Sequence, residues 1–215
     1  MRGLRPLALV TAASLVVFAA VAIAVVARAT VSGDLATTIA LQSVASDLLD
    51  LLANANTVVG QAVVTAALGA ALALVAWRHD APWAWLAAGL LAVPAFGALA
   101  LKLALFHPSP PHEFVRAWGN PLGVRIDTAG GFPSGHIARV TFLTVLAGGL
   151  FPAALARVAL GLLVAYTFWA RIYIGDHWLS DAIGGLALGI ASGCLALGWL
   201  AFARGRARRA SVAAT

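Results

Sequence analysis

The sequence predicts an all-α integral membrane protein: a six-helix bundle with a short interfacial helix and an extracytoplasmic loop. Three observations predict it. Of 215 residues, 62% are hydrophobic and only 10% charged, whereas a soluble domain of this length needs far more charge to cover its surface. Mean hydropathy is +0.94. The apolar residues fall in long unbroken blocks, each approaching the ~20 residues that cross a bilayer's hydrocarbon core.

The spans fall at about 7–27, 57–77, 82–105, 134–151, 157–174 and 178–203, followed by a basic tail over 204–215. The first has a charged start, as a signal peptide does, but Leu7 to Ala27 is long enough to span, so it reads as uncleaved. Between the first two spans, Asp34 to Asn56 is more polar. Leu41, Val44, Leu48 and Leu51 recur there at helical spacing, with Asp47 and Asp50 off the stripe. That pattern predicts a short helix along the interface or an extension of the second span.

Charge sets the orientation. With the N-terminus in the cytoplasm, that side holds Arg2, Arg5, Arg78, Arg157, Arg204, Arg206, Arg208 and Arg209, eight of the fourteen basic residues. The segment with Asp34, Asp47 and Asp50 falls outside, as the positive-inside bias expects. This makes a multi-pass protein of the plasma membrane with both termini cytoplasmic. The net charge of +6 does not point to nucleic acid, because the basic residues flank spans and lack interleaved aromatics. Cys194, the single cysteine, lies inside the last apolar block and is expected only to pack. With no cysteine partner, a structural zinc site is not expected, and no metal or other cofactor is invoked.

The longest polar loop, His107 to Gly131, then lies outside, as does the short connection Gly175-Asp176-His177. Lys102 stands near the outer end of the third span, His136 and Arg139 at the start of the fourth, Arg171 at the end of the fifth, and His177 and Asp181 at the start of the sixth. Ionisable residues at span ends are expensive, so their convergence at one depth predicts a polar pocket. A transporter would instead place such residues near mid-bilayer.

Each piece has a chemical and a bland reading. In Phe132-Pro133-Ser134-Gly135-His136, Ser134 caps a helix start, and Gly135 lets the backbone approach an anion held by free amides and the helix dipole; ordinary capping is the alternative. His177 and Asp181, four apart, share a helix face, so the carboxylate can fix the imidazole tautomer and leave the other nitrogen as nucleophile or base. A solvated pair is the alternative. The planar fork of Arg171 suits phosphoryl oxygens, and Lys102 adds a point charge; snorkelling to headgroups is the plain reading of both.

Together these residues resemble the type-2 phosphatidic acid phosphatase superfamily, the lipid phosphate phosphatases related to vanadium haloperoxidases. Pro133-Ser134-Gly135-His136 matches its second motif in full. Arg171, His177 and Asp181 match the third in spacing, and Lys102 and Pro110 match the ends of the first, Lys-x6-Arg-Pro. Two departures stand out. Ala170 replaces the serine before Arg171, and Ser109 stands where the first motif has arginine. Arg139, one turn after His136, is the candidate to supply the absent charge; a lipid-facing arginine is the alternative.

The resemblance implies an active-site loop outside the cytoplasm and a metal-independent lipid phosphatase. His177 would attack phosphorus to form a phosphohistidine, with Asp181 orienting it and His136 protonating the departing oxygen. Lys102, Arg171 and the amides near Ser134 and Gly135 would hold the phosphate. Undecaprenyl diphosphate, phosphatidylglycerophosphate and phosphatidate are the candidate substrates. A phosphotransferase that passes the group to another lipid, and a catalytically weakened lipid-binding relative, are the alternatives. His107, His112, Glu113, Arg116, Arg125 and Asp127 either shape headgroup access or decorate a solvated loop.

Overall fold

A computed structural model describes residues 4–78, 88–119, 130–151 and 153–213. The turn beyond Arg78, the first residues of the expected third span, and Arg2, Pro121, Arg125 and Asp127 lie outside the described residues, as do the side chains of Arg208 and Arg209. The described chain is helical, with no strands: α1 Leu4–Val26, α2 Val31–Gln42, α3 Asp47–Asn56, α4 Ala62–Arg78, α5 Ala92–Ala104, α6 Gly135–Leu150, α7 Ala154–Tyr173 and α8 Leu179–Ala213, plus a 3-10 turn at His112–Phe114. Helices α1, α7 and α8 are long and apolar enough to cross a membrane, while α4, α5 and α6 are shorter apolar helices. These six correspond to the expected spans.

Three details differ from the sequence reading. The segment between the first two spans forms two helices, because Ser46 adopts an extended conformation and accepts from the Leu49 amide at 3.4 Å, restarting the helix as α3. The second span begins later than residue 57; Thr57 to Gln61 form turns before α4 starts at Ala62. The last helix continues through the basic tail to Ala213.

Polarity is inverted relative to a soluble bundle. Leu9, Val16, Leu103, Leu155 and Leu162 are exposed, whereas Thr38, Thr65, Thr167 and Arg171 are buried. Lipid tails are as apolar as leucine, so helix association rests on close packing and internal hydrogen bonds rather than on apolar burial. Small residues supply that packing between α6 and α8. A Cβ added at Gly185 would sit 2.5 Å from the Ser134 carbonyl oxygen, one at Gly189 2.6 Å from that of Ala138, and one at Gly193 2.8 Å from the Val145 side chain. Further along the same contact, Phe142, Leu143 and Leu146 pack with Ala196 and Leu200.

Helix α2 is tied to the start of α8. Asp34, 3% exposed, accepts from the Ser180 backbone N–H at 2.7 Å and its hydroxyl at 2.8 Å. A carboxylate from a distant helix thus satisfies an orphan amide at the positive end of α8.

Candidate active site

Two helix starts, of α6 and α8, and two helix ends, of α5 and α7, assemble the site. Ser134 caps α6, with the Ile137 amide 3.5 Å from its hydroxyl oxygen. The Ser134 N–H donates to the Asp181 carbonyl at 2.9 Å, tying the start of α6 to the first turn of α8. Between α7 and α8 the chain reverses at Gly175, whose φ of +72° puts it in the left-handed region. A Cβ there would also meet the Phe114 carbonyl oxygen at 2.1 Å, so only glycine fits the turn that presents His177.

The His177–Asp181 pair forms, although His177 stands in the turn before α8 and Asp181 reaches back to it from the first helical turn. His177 Nδ1 lies 3.3 Å from Asp181 Oδ2, which also accepts from the Trp178 N–H at 3.0 Å. The Asp181 side chain is fully buried. Its other oxygen, Oδ1, is 2.9 Å from Nδ1 of a second imidazole, His107. Burial pushes the His177 imidazole below its ordinary value, against the pull of Asp181. At His107 burial acts the same way, yet the Asp181 hydrogen bond and charge prevail and raise it.

Arg171 is completely buried at the end of α7, so it does not snorkel. It donates to Asp176 Oδ2 at 2.8 Å and to the Thr57 hydroxyl. Its Nε has no partner among the described residues. His136 packs its ring on the bare Cα of Gly60: a Cβ there would fall 2.5 Å from His136 Cδ2. His136 Nε2 is likewise buried with no partner among the described residues. Arg139 donates to the Gly60 carbonyl at 2.6 Å, while its Nε lacks a partner among the described residues. Gly135 permits that approach, since a Cβ would stand 3.0 Å from Arg139 Nη1.

His136 lies within electrostatic reach of Arg171, Arg139, His177 and Lys102, and Lys102 within reach of Asp181, Arg139 and Asp176. The structure therefore gathers His136, His177, Asp181, Lys102, Arg139 and Arg171 around the start of α6, where Ser134 and Gly135 stand. Ser109 stays exposed. Buried donors without partners beside several cations suit an anion with several oxygens. The chemistry open to this donor set is nucleophilic and acid–base work on such an anion.

A family model described as the PAP2 superfamily matches residues 82–204. The chain belongs to this superfamily. Lys102, His136, Arg171, His177 and Asp181 all lie inside the matched stretch. The fold is similar to that of the first transmembrane PAP2 type phosphatidylglycerolphosphate phosphatase from Bacillus subtilis, with a TM-score of 0.69 over 88% of this chain and 94% of that one, at 18% identity. It is also similar to LpxE from Aquifex aeolicus, with a TM-score of 0.61 over 76% of this chain and 94% of that one, at 20% identity. No curated protein sequence matches it.

Sequence reasoning missed several residues at or near the candidate site. His107 is 7% exposed and bonded to Asp181, not part of a solvated loop. Thr57 and Gly60 come from the turn before α4. Arg116 grips both Asp50 oxygens at 2.7 and 2.6 Å, and Gln42 donates to the carbonyls of Phe114 and Tyr173, each at 2.8 Å. The stretch Phe114 to Arg116 is thereby tied to α2, α3 and the end of α7. His112 and Glu113 are exposed, as a solvated loop predicts.

Proposed function

We propose that this PAP2 protein is a membrane hydrolase of lipid phosphates that works through a phosphohistidine. The observation that carries the reading is the convergence of two imidazoles, one on α6 and one in the turn before α8, at one cationic pocket. His177 is held by Asp181 through Nδ1, and His136 has a buried Nε2 without a partner among the described residues.

The steps balance without a further reactant. His177 donates Nδ1–H to Asp181, so its Nε2 carries the lone pair that attacks phosphorus. A P–N bond forms as the bond to the lipid oxygen breaks, and protonated His136 gives its proton to that oxygen. Neutral His136 then takes a proton from water as the water oxygen attacks phosphorus. The P–N bond breaks, free phosphate leaves, and His177 regains its lone pair. Lys102, Arg139, Arg171 and the amides at Ser134 and Gly135 hold the equatorial oxygens, where negative charge must be stabilised in the transition state. These groups supply the charge, so no metal is assigned to the reaction.

The positive-inside bias places the site outside the cytoplasm, in a plasma-membrane protein with both termini inside. One domain over 1–203 followed by a basic tail is the organisation proposed. The apolar helices around the site favour a lipid whose phosphate sits at headgroup level. Phosphatidylglycerophosphate, the substrate in the Bacillus subtilis protein's name, is a candidate, beside undecaprenyl diphosphate and phosphatidate. The exposed Ser109 supports a second reading, a weakened lipid-binding relative. Detergent-solubilised protein should release phosphate from at least one of these lipids, trap an acid-labile phosphoenzyme on rapid quench, and lose both with His177→Ala. Binding of the lipids without turnover would establish the second reading instead.

A further inference from the structure

We infer that His107 is a positioning residue of the reaction, acting through the carboxylate it shares with His177. The inference rests on the phosphatase reading and names a residue at an unspecified position of the first motif, between Lys102 and Ser109.

Asp181 sits fully buried with each carboxylate oxygen assigned to a different task. Oδ2 takes His177 and the Trp178 amide, and Oδ1 takes His107 at 2.9 Å, shorter than the 3.3 Å to His177. Without a donor at Oδ1, one lone-pair face of a buried carboxylate is unsatisfied. The group can then rotate toward other donors and release Nδ1 of the nucleophile. His107 is itself fixed. Its carbonyl accepts from the Gly131 N–H at 2.6 Å, and its ring meets Phe132 edge-on with centroids 6.5 Å apart. Gly131 leaves room for this arrangement, because a Cβ there would lie 2.6 Å from Asp181 Oδ2. The loop that carries His107 and the Gly131–Phe132 segment leading into α6 therefore both pack on Asp181, with His107 on the oxygen that His177 does not use. The carboxylate orients one imidazole because another imidazole orients the carboxylate.

The test uses shape-matched variants of the full chain in detergent. Leucine and asparagine have nearly the same shape and differ in the donor that can occupy the Nδ1 position; glutamine puts its amide one bond too far. Expected values of kcat are a loss of about 10- to 100-fold for His107→Leu and His107→Gln, the scale of a lost hydrogen bond to a charged group, with His107→Asn within about 5-fold of wild type. KM and inhibition by vanadate, a phosphate mimic, should change less than about 3-fold, because His107 acts on Asp181 and not on the anion. If His107→Leu fails to fold, the contrast between Gln and Asn decides. Wild-type kcat in Leu or Gln, an Asn variant no better than Leu, or a loss confined to KM and vanadate inhibition would each overturn the inference. A wild-type protein that neither hydrolyses lipid phosphates nor binds vanadate would overturn the phosphatase reading itself.

Discussion

Arg139 donates to the carbonyl oxygen of Gly60 at 2.6 Å, and the same glycine packs against the His136 side chain. One turn of backbone before α4 thus holds the cation and the imidazole that follow each other on α6. The departure at Ser109 makes that link chemically interesting, since the expected guanidinium is missing there and another stands beside the site.

If Arg139 supplies the absent charge, Arg139→Ala should lower kcat/KM by about 10- to 1,000-fold, the range seen when one transition-state donor is lost. Ser109→Arg in that background should recover part of the loss. Full activity in Arg139→Ala would remove Arg139 from the phosphate-binding set.

Gly60→Ala tests the packing of His136, the imidazole proposed for acid–base work. The new methyl would overlap His136 Cδ2 and Cβ, at 2.5 and 2.9 Å, so the ring must shift. A displacement of about 1 Å can cost about 100-fold in rate. The protein should stay folded by size-exclusion chromatography while kcat falls; an unchanged kcat would place His136 outside the chemistry.

The pH profile has a definite sign. Burial lowers the His177 imidazole from 6.5, so the neutral, nucleophilic form persists below that pH. The acid limb of kcat/KM should therefore lie below 6.5 and stay there for two substrates whose phosphates titrate differently. A limb above 6.5 that is independent of substrate contradicts the neutral nucleophile.

Chelation offers the simplest check on the charge inventory. Dialysis against EDTA should leave phosphate release within about 2-fold, because Lys102, Arg139, Arg171 and helix amides are assigned the work of charge stabilisation. Loss on chelation that returns with a divalent cation would break that assignment.

The glycine contacts predict a stability contrast within α8. Gly189→Ala places its Cβ 2.6 Å from the Ala138 backbone oxygen, which cannot swing away, whereas Gly198→Ala meets nothing within 4 Å. The first should destabilise the protein by about 1–3 kcal/mol. The second should be neutral or slightly stabilising, since alanine is the better helix former. Thermal unfolding followed by light scattering in detergent separates the two.

What the sequence determined by itself was local. Hydropathy is a sum over consecutive residues, so the apolar helices were legible, including the first, although the last helix runs ten residues beyond its expected span of 178–203 to Ala213. His177 and Asp181 could be paired because four residues on a helix bring two side chains to one face, and Ser134 could be assigned as a cap because capping is decided within one turn. The tertiary structure decided everything that depends on approach between distant segments. His107 and Asp181 are 74 positions apart and Asp34 and Ser180 are 146, and no periodicity encodes either contact. The turn at Thr57 to Gln61 looked like the beginning of a span because its residues are mildly apolar. Only packing against α6 and α7 makes it backbone support for His136 and a hydroxyl partner for Arg171. Pattern carries information over one or two turns of chain, while hydrogen-bond satisfaction in a buried site is a property of whatever the fold brings alongside.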